Sequence, residues 1–167
     1  MIELLYKPNK ELKTIAKNVC CYYDINVIVQ ECDEFLSEKE TRLAVSLNQI
    51  MFNGKPVNRS GFVVSEKIAN IIGNKYFFNT RMEYLGENFT SHESCLSILD
   101  IKDKKVKRND FIRMSFDDVN GVNRLIEISK ELILFDGKDI PYNRKDIILE
   151  VFQHEHDHSI GKLITDY

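Results

Sequence analysis

QHEHDHSIGK, residues 153–162, sets His154 and His158 four positions apart, with Glu155 and His156 between them. In a helix that spacing stacks the two imidazoles one turn apart on a single face. Glu155 is then placed to reach a metal-bound water, the arrangement that metal-assisted hydrolysis needs. The competing reading is an exposed polar helix that carries three histidines, and the rest of the chain has to decide.

Ile147, Val151, His154 and His158 fall on one stripe, with Ile148 and Phe152 beside it. The pattern predicts a helix from about Arg144 to Ser159, capped by Asn143 and ended by Gly161 in a left-handed conformation. Both histidines lie on or next to its buried face, where a pair without a partner is costly. His156 points off that face and is expected to be exposed.

The histidine pair needs a third ligand. Nine residues follow His158, Asp166 is the one carboxylate side chain among them, and no histidine does. The ordinary metalloprotease pattern, with its third ligand well downstream, therefore runs out of chain, and the ligand is expected upstream. Cys95, in ESCLS (residues 93–97), is the best candidate. Two imidazoles and a thiolate leave one position open for water, as a catalytic centre requires. The alternative for Cys95 alone is a small buried apolar residue. His92 reads as a loop residue.

The remaining sequence sets the frame. The 167 residues suffice for one domain, 1–167, without repeats or linkers. A helix is expected from about Ile25 to Glu40, with Ile25, Ile28, Val29, Cys32, Phe35 and Leu36 at helical spacing and Asp24 as its cap. GFVVS (61–65), KYFFN (75–79), FIRMSF (111–116) and ELILF (131–135) read as strands. Asn120-Gly121 predicts a hairpin pairing about 111–117 with 122–128. The expected class is α+β, with antiparallel strands packed around a metal-binding helix near the C-terminus and a further helix near the N-terminus.

A net charge of −3 gives no reason to expect nucleic-acid or anionic-membrane binding. KDKKVKRND (102–110), with its interrupted lysines, reads as a solvated loop. No apolar run approaches the ~18 residues of a membrane span, and the start resembles neither a secretion signal nor a transit peptide. A cytoplasmic protein is expected. Cys20, Cys21, Cys32 and Cys95 suggest no disulfide framework.

Three segments together resemble the peptide deformylase family: Gln-His-Glu-x-Asp-His at 153–158, Glu-x-Cys-Leu-Ser at 93–97, and Gln49 closing LAVSLNQ (43–49). Tyr6-Lys7-Pro8-Asn9 with Leu12 looks like the family's first stretch, and Phe78-Asn79 like its Ile-Asn-Pro strand, with Thr80 in place of proline. Arg108, thirteen residues before Gly121, stands where the family keeps a substrate-binding arginine. The resemblance implies that Cys95, His154 and His158 bind one divalent metal, Fe(II) by preference, with zinc, nickel or cobalt able to replace it. It implies Glu155 as the base that takes a proton from the attacking water, and Gln49 with the backbone N–H of Leu96 as donors to the oxyanion. Arg108 and Ala44 would contact the substrate, and Asp157 would steady a ligand or the helix. The implied activity is removal of the formyl group from the N-terminal formyl-methionine of nascent peptides, by a cytoplasmic monomer without a ribosome-docking C-terminal helix.

This chain departs from the family in its first motif. Where the family reads Gly-x-Gly-x-Ala-Ala-x-Gln, it has Arg42-Leu43-Ala44-Val45-Ser46-Leu47-Asn48-Gln49, and Ser94 replaces a glycine. Arg42 and Leu47 are expected to add bulk beside the cleft. Two further readings stay open: a related metal amidase with another N-acyl substrate, and a non-catalytic metal-binding homologue. A chance resemblance on an ordinary α+β domain is the last alternative.

Overall fold

Alternating burial organises the molecule. In the chain segments that read as strands, successive side chains face opposite ways, and at one end of the large sheet both faces are covered. A computed structural model describes residues 1–6, 9–98 and 100–167, with Tyr23 and Asp24 described by backbone only. Lys7 and Pro8 of the amino-terminal resemblance lie outside the described residues.

The elements, in chain order, are β1 (Ile2–Leu4), α1 (Tyr22–Ser37), β2 (Ala44–Ser46), β3 (Ile50–Phe52), β4 (Lys55–Pro56), β5 (Gly61–Val64), α2 (Glu66–Ile72), β6 (Tyr76–Glu93), β7 (Lys104–Asp117), β8 (Asn123–Ser129), β9 (Ile133–Phe135), β10 (Lys138–Asp139) and α3 (Lys145–Ser159). Strands β10-β9-β8-β7-β6-β5-β2 form one sheet and β1-β3-β4 a second, and every pairing is antiparallel. The α+β class expected from the sequence is what the chain adopts.

The β2–β5–β6 end of the large sheet lies between two helices. Ala44, Phe62, Val64 and Phe77 pack with Ile148, Leu149 and Phe152 of α3. Val45, Val63 and Phe78, one residue out of step, pack with Val29, Cys32 and Leu36 of α1. That is why GFVV is buried throughout rather than alternating with polar residues. Phe152 is the hub on the α3 side, edge-on to Phe62 and Phe77 at ring-centroid distances of 5.2 and 4.8 Å.

Several boundaries differ from expectation for local reasons. Helix α1 begins at Tyr22 with Cys21 in extended conformation ahead of it, so Asp24 falls in the first turn rather than at the cap. Helix α3 starts at Lys145, with Arg144 rather than Asn143 at its cap. Its far end does turn at Gly161 (φ +76°): Gly161 N–H donates to His158 O and Lys162 N–H to Asp157 O, a complete Schellman closure. A Cβ there would meet Lys13 O at 2.7 Å, so the position demands glycine. The short helix α2 has no counterpart in the expected elements.

The largest difference is the β6–β7 hairpin. KDKKVKRND was expected as a solvated loop, but Lys104–Asp110 is the first half of β7, paired with β6 as far as Glu93 opposite Lys104. Val106 and Arg108 face inward while Lys105 and Lys107 face solvent. A charged strand face has the composition of a loop, and only the period-two alternation separates them. His92 accordingly sits on β6, exposed, with Nδ1 2.8 Å from Asp103 Oδ1. The expected β7–β8 hairpin forms, one residue out of the expected register: Asp117 lies opposite Asn123 and Phe111 opposite Ser129. Its loop is five residues, not a two-residue turn: Asp118 Oδ1 accepts from the N–H of Asn120 and of Val122, and Gly121 alone takes positive φ.

Candidate metal centre

Three segments bring the expected ligands together. Helix α3 supplies His154 and His158. Cys95 lies two residues past the end of β6, in a tight turn bridged to Ile98. Gln49 closes the single helical turn Leu47–Gln49 that follows β2. This turn is bolted to α3: Ser46 Oγ donates to Glu155 O at 2.8 Å, and Asn48 Nδ2 donates to His158 O. Ser46 N–H donates to Gln49 Oε1 at 2.9 Å, which aims the Gln49 amide nitrogen at the centre.

The Nε2 atoms of His154 and His158 are 3.3 Å apart, and Cys95 Sγ is 3.4 Å from His158 Nε2. All three donor atoms lie within 4.8 Å of one another. A tetrahedral ion with bonds of ~2.1 Å to nitrogen and ~2.3 Å to sulfur sets its donors roughly 3.4–3.6 Å apart. The two edges that meet at His158 Nε2 fit that figure. Three lone-pair donors converging in a buried place also repel one another unless a cation or proton sits between them. The residues present therefore suit a small divalent metal. Gln49 Nε2 lies 2.9 Å from His158 Nε2, 3.1 Å from Ser97 Oγ and 3.5 Å from Cys95 Sγ, at the edge of this triangle.

Charge around the triangle is arranged to favour positive charge. Burial works against protonation of His154, but its hydrogen bonds with Cys95 and Glu93 outweigh that and lift the imidazole to about 10. Burial, with the charge on His154, holds His158 well below its ordinary range, so it stays neutral. Glu155 is pushed up to about 7, mainly by burial. Its Oε2 and His158 Nδ1 are buried without hydrogen-bond partners among the described residues.

Behind the ligands runs a chain of buried charges. His154 Nδ1 is 2.9 Å from Glu93 Oε2, so a neutral His154 donates there and turns its Nε2 lone pair to the centre. Glu93 accepts two bonds from Arg108, at 2.6 and 2.7 Å, and Arg108 Nη1 donates to Asp157 at 2.5 Å. Tyr167 Oη accepts from Arg108 at 2.9 Å and donates to Asp157 at 2.6 Å. Burial would raise the Glu93 carboxyl, but the bonds from Arg108 and His154 prevail and hold it at about 2.

This corrects the expectation for Arg108. It is 1% exposed and does not line the cavity, because its guanidinium is consumed by Glu93 and Asp157. His156 is likewise buried rather than exposed, its Nδ1 3.0 Å from Thr80 Oγ1 under the β6–β7 hairpin. Asp157 takes the supporting place expected of it. Glu93 had no assigned role, although its position two residues before Cys95 in the quoted motif was a usable signal.

In front of the ligands opens a cavity of about 430 Å³, whose wall includes Ala44, Gln49, Leu96, His154 and Glu155. Of the two bulky residues expected beside the cleft, Arg42 lines its wall and Leu47 does not. Leu47 is fully buried on the opposite side, in the core against α1. Arg42 folds back over the Phe35 ring, 3.8 Å from its centroid, and donates to Phe35 O and Glu38.

The family model described as polypeptide deformylase matches residues 1–167. The chain belongs to the polypeptide deformylase family. A peptide deformylase from Flavobacterium psychrophilum is 31% identical over 137 residues, a match spanning 81% of this chain and 61% of that protein. Among solved structures, peptide deformylase from Thermotoga maritima superposes with a TM-score of 0.72 at 19% identity, covering 99% of this chain and 96% of that one. The enzyme from Synechococcus elongatus gives 0.76 at 18% identity, covering 99% and 77%. The one from Legionella pneumophila gives 0.74 at 21%, covering 98% and 83%. At these identities the structures establish a shared deformylase fold, and the Cys-His-His cluster sits within it. No helix among the described residues is long and apolar enough to cross a membrane.

Proposed function

We propose that the protein is a metal-dependent hydrolase that removes the formyl group from N-formyl peptides, formyl-methionine at the head of newly made polypeptides being the substrate its family implies. The observation that supports this best is the convergence of Cys95 and both histidines with Glu155 and Gln49 at one end of a cavity. The reading includes a single domain over 1–167, Fe(II) as the metal, and a monomer at work in the cytoplasm.

Cys95 Sγ and the Nε2 atoms of His154 and His158 would hold the metal, which when bound supplies Lewis acidity and a nucleophilic water at neutral pH. Glu155, raised towards neutrality by burial, takes a proton from the attacking water and returns it to the departing amine nitrogen. The formyl C–N bond breaks as that proton arrives, leaving formate and a free amino terminus. Gln49 Nε2 and the N–H of Leu96 donate to the carbonyl oxygen as it gains charge. Glu93 keeps the His154 ring oriented, and Arg108 keeps Glu93 ionised and in place. Arg108 thus acts through the ligands, and not by gripping the peptide. Ala44 remains on the cavity wall, where a substrate backbone can approach it.

The test is hydrolysis of formyl-Met-Ala-Ser by protein purified without oxygen and loaded with Fe(II) or Ni(II), with Glu155→Gln alongside. Loss of a general base lowers the rate roughly 10²–10⁴-fold. Unchanged turnover in that variant, with metal content equal, removes Glu155 from the mechanism.

A further inference from the structure

The cavity wall is not uniformly apolar. Ile147, Glu150, Val151 and His154 all reach it from one stripe of α3, since residues three and four apart share a helix face. Glu150 stands about one turn, ~6 Å along the helix axis, before the ligand His154. Leu43, Ile98 and Ile101 line the same cavity. A half-buried carboxylate is thus set among aliphatic side chains, about one helical turn from the place where a formyl amide would react.

Among the described residues no ion pair engages Glu150. Burial raises its carboxyl above the ordinary range, the Ser91 hydroxyl opposes this, and the charges of Glu93 and Asp146 push the same way as burial. Arg108, the cation that acts on it, is already committed to Glu93 and Asp157. Two cations share the cavity lining: Lys102 is exposed, and Arg42 is turned to Phe35 O and Glu38.

An unbranched side chain extending from the residue that carries the formyl group spans about the length of that helical turn. Its methylenes would lie along Leu43, Ile147 and Val151, and its tip would meet Glu150. A thioether tip would strip water from the carboxylate and give nothing back, whereas an ammonium would both pair with it and keep its stem on the apolar wall.

We propose that Glu150 determines specificity, making this cavity favour an N-formyl amide whose adjoining side chain ends in a cation or hydrogen-bond donor over a methionine of similar length. The inference rests on the amide-hydrolase reading of the metal centre and departs from the family's expected substrate only in that side chain. A site that presents a polar group discriminates strongly against a ligand that leaves it unpaired.

The experiment compares kcat/KM for formyl-Lys-Ala-Ser and formyl-Met-Ala-Ser, in metal-loaded wild-type protein and in Glu150→Leu. The wild type should favour the lysine peptide by about tenfold or more, the equivalent of one charge-assisted hydrogen bond, and Glu150→Leu should reverse the order. A wild-type preference for methionine that Glu150→Leu leaves unchanged overturns the proposal. Calorimetric binding of the same peptides to metal-loaded Glu155→Gln protein, with and without Glu150→Leu, separates the two ideas. A lysine preference in binding that disappears with Glu150→Leu, without turnover by the wild type, upholds Glu150 and sinks the hydrolase reading. Turnover of both peptides with no preference in rate or binding does the reverse, and binding of neither overturns both.

Discussion

Replacing Arg108 with methionine keeps most of its volume and removes its charge, which separates a supporting role from a substrate-holding one. The guanidinium donates to both Glu93 oxygens and to Asp157 and is 1% exposed. Removing one partner of a buried ion pair costs about 3–5 kcal/mol, because the charge left behind is uncompensated. Two carboxylates are stranded here. Glu93 still has His154 Nδ1 at 2.9 Å, and Asp157 still has the Tyr167 hydroxyl at 2.6 Å, which keeps the loss within that range. With a loss of ~4 kcal/mol and about 2–4 °C per kcal/mol for a chain of this size, Tm should fall by roughly 8–16 °C. Glu93, no longer held, lets the His154 ring turn, and metal affinity should fall about 10–100-fold. Scanning calorimetry reads the first effect, and competition for zinc against a chelating dye reads the second. Arg108→Lys restores the charge without the two-pronged geometry and should recover only part of each. A variant with unchanged Tm and metal affinity but a raised KM would refute this reasoning and put Arg108 on the peptide.

Other perturbations probe the remaining parts. Cys95→Ser should weaken metal binding and lower the Tm of the metal-loaded protein together; if neither moves in parallel metal titration and calorimetry, Cys95 is no ligand. Phe152→Ala leaves a cavity beside the stacked Phe62 and Phe77 rings and should cost about 3–5 kcal/mol in urea unfolding. A loss under about 1 kcal/mol would mean that the core is not packed around it. The Glu93 carboxyl is held at about 2 in the folded chain, below its usual 4.5. Its contribution of about 3 kcal/mol is therefore present above pH ~4.5 and lost as pH falls towards 2. Glu93→Gln should flatten the acid limb of the stability curve over that interval, and an unaltered limb would place the acid sensitivity elsewhere.

The sequence made the ends of the argument legible and hid the middle. His154, His158 and the closure at Gly161 could be read because helical spacing and glycine chemistry act within a few residues. Cys95 was reachable because so few other ligands remained. The first half of β7 was not, because inward Val106 and Arg108 alternate with lysines that look like a solvated tract. The substrate role expected of Arg108 came from the family resemblance, and the strand pattern offered nothing to set against it. A charged residue on a charged strand gives no sign of which carboxylates it will meet, and Glu93 and Asp157 come from different parts of the chain. His156 was placed outside because helical spacing locates one face of α3 and says nothing about whether a hairpin covers the other.

The sandwiching of β2 between two helices bears on how this family can diverge. From 44 to 49, successive residues serve alternate masters: Ala44 the cavity, Val45 and Leu47 the α1 side, Ser46 and Asn48 the carbonyls of α3, and Gln49 the centre. A glycine or alanine lost from such a segment can be compensated by neighbours in α1, out of reach of the substrate. Motif comparison then overstates how far the cleft has changed. Natural variation at Leu47 should travel with variation at Val29, Cys32 and Leu36, while Gln49 and the ligands stay fixed.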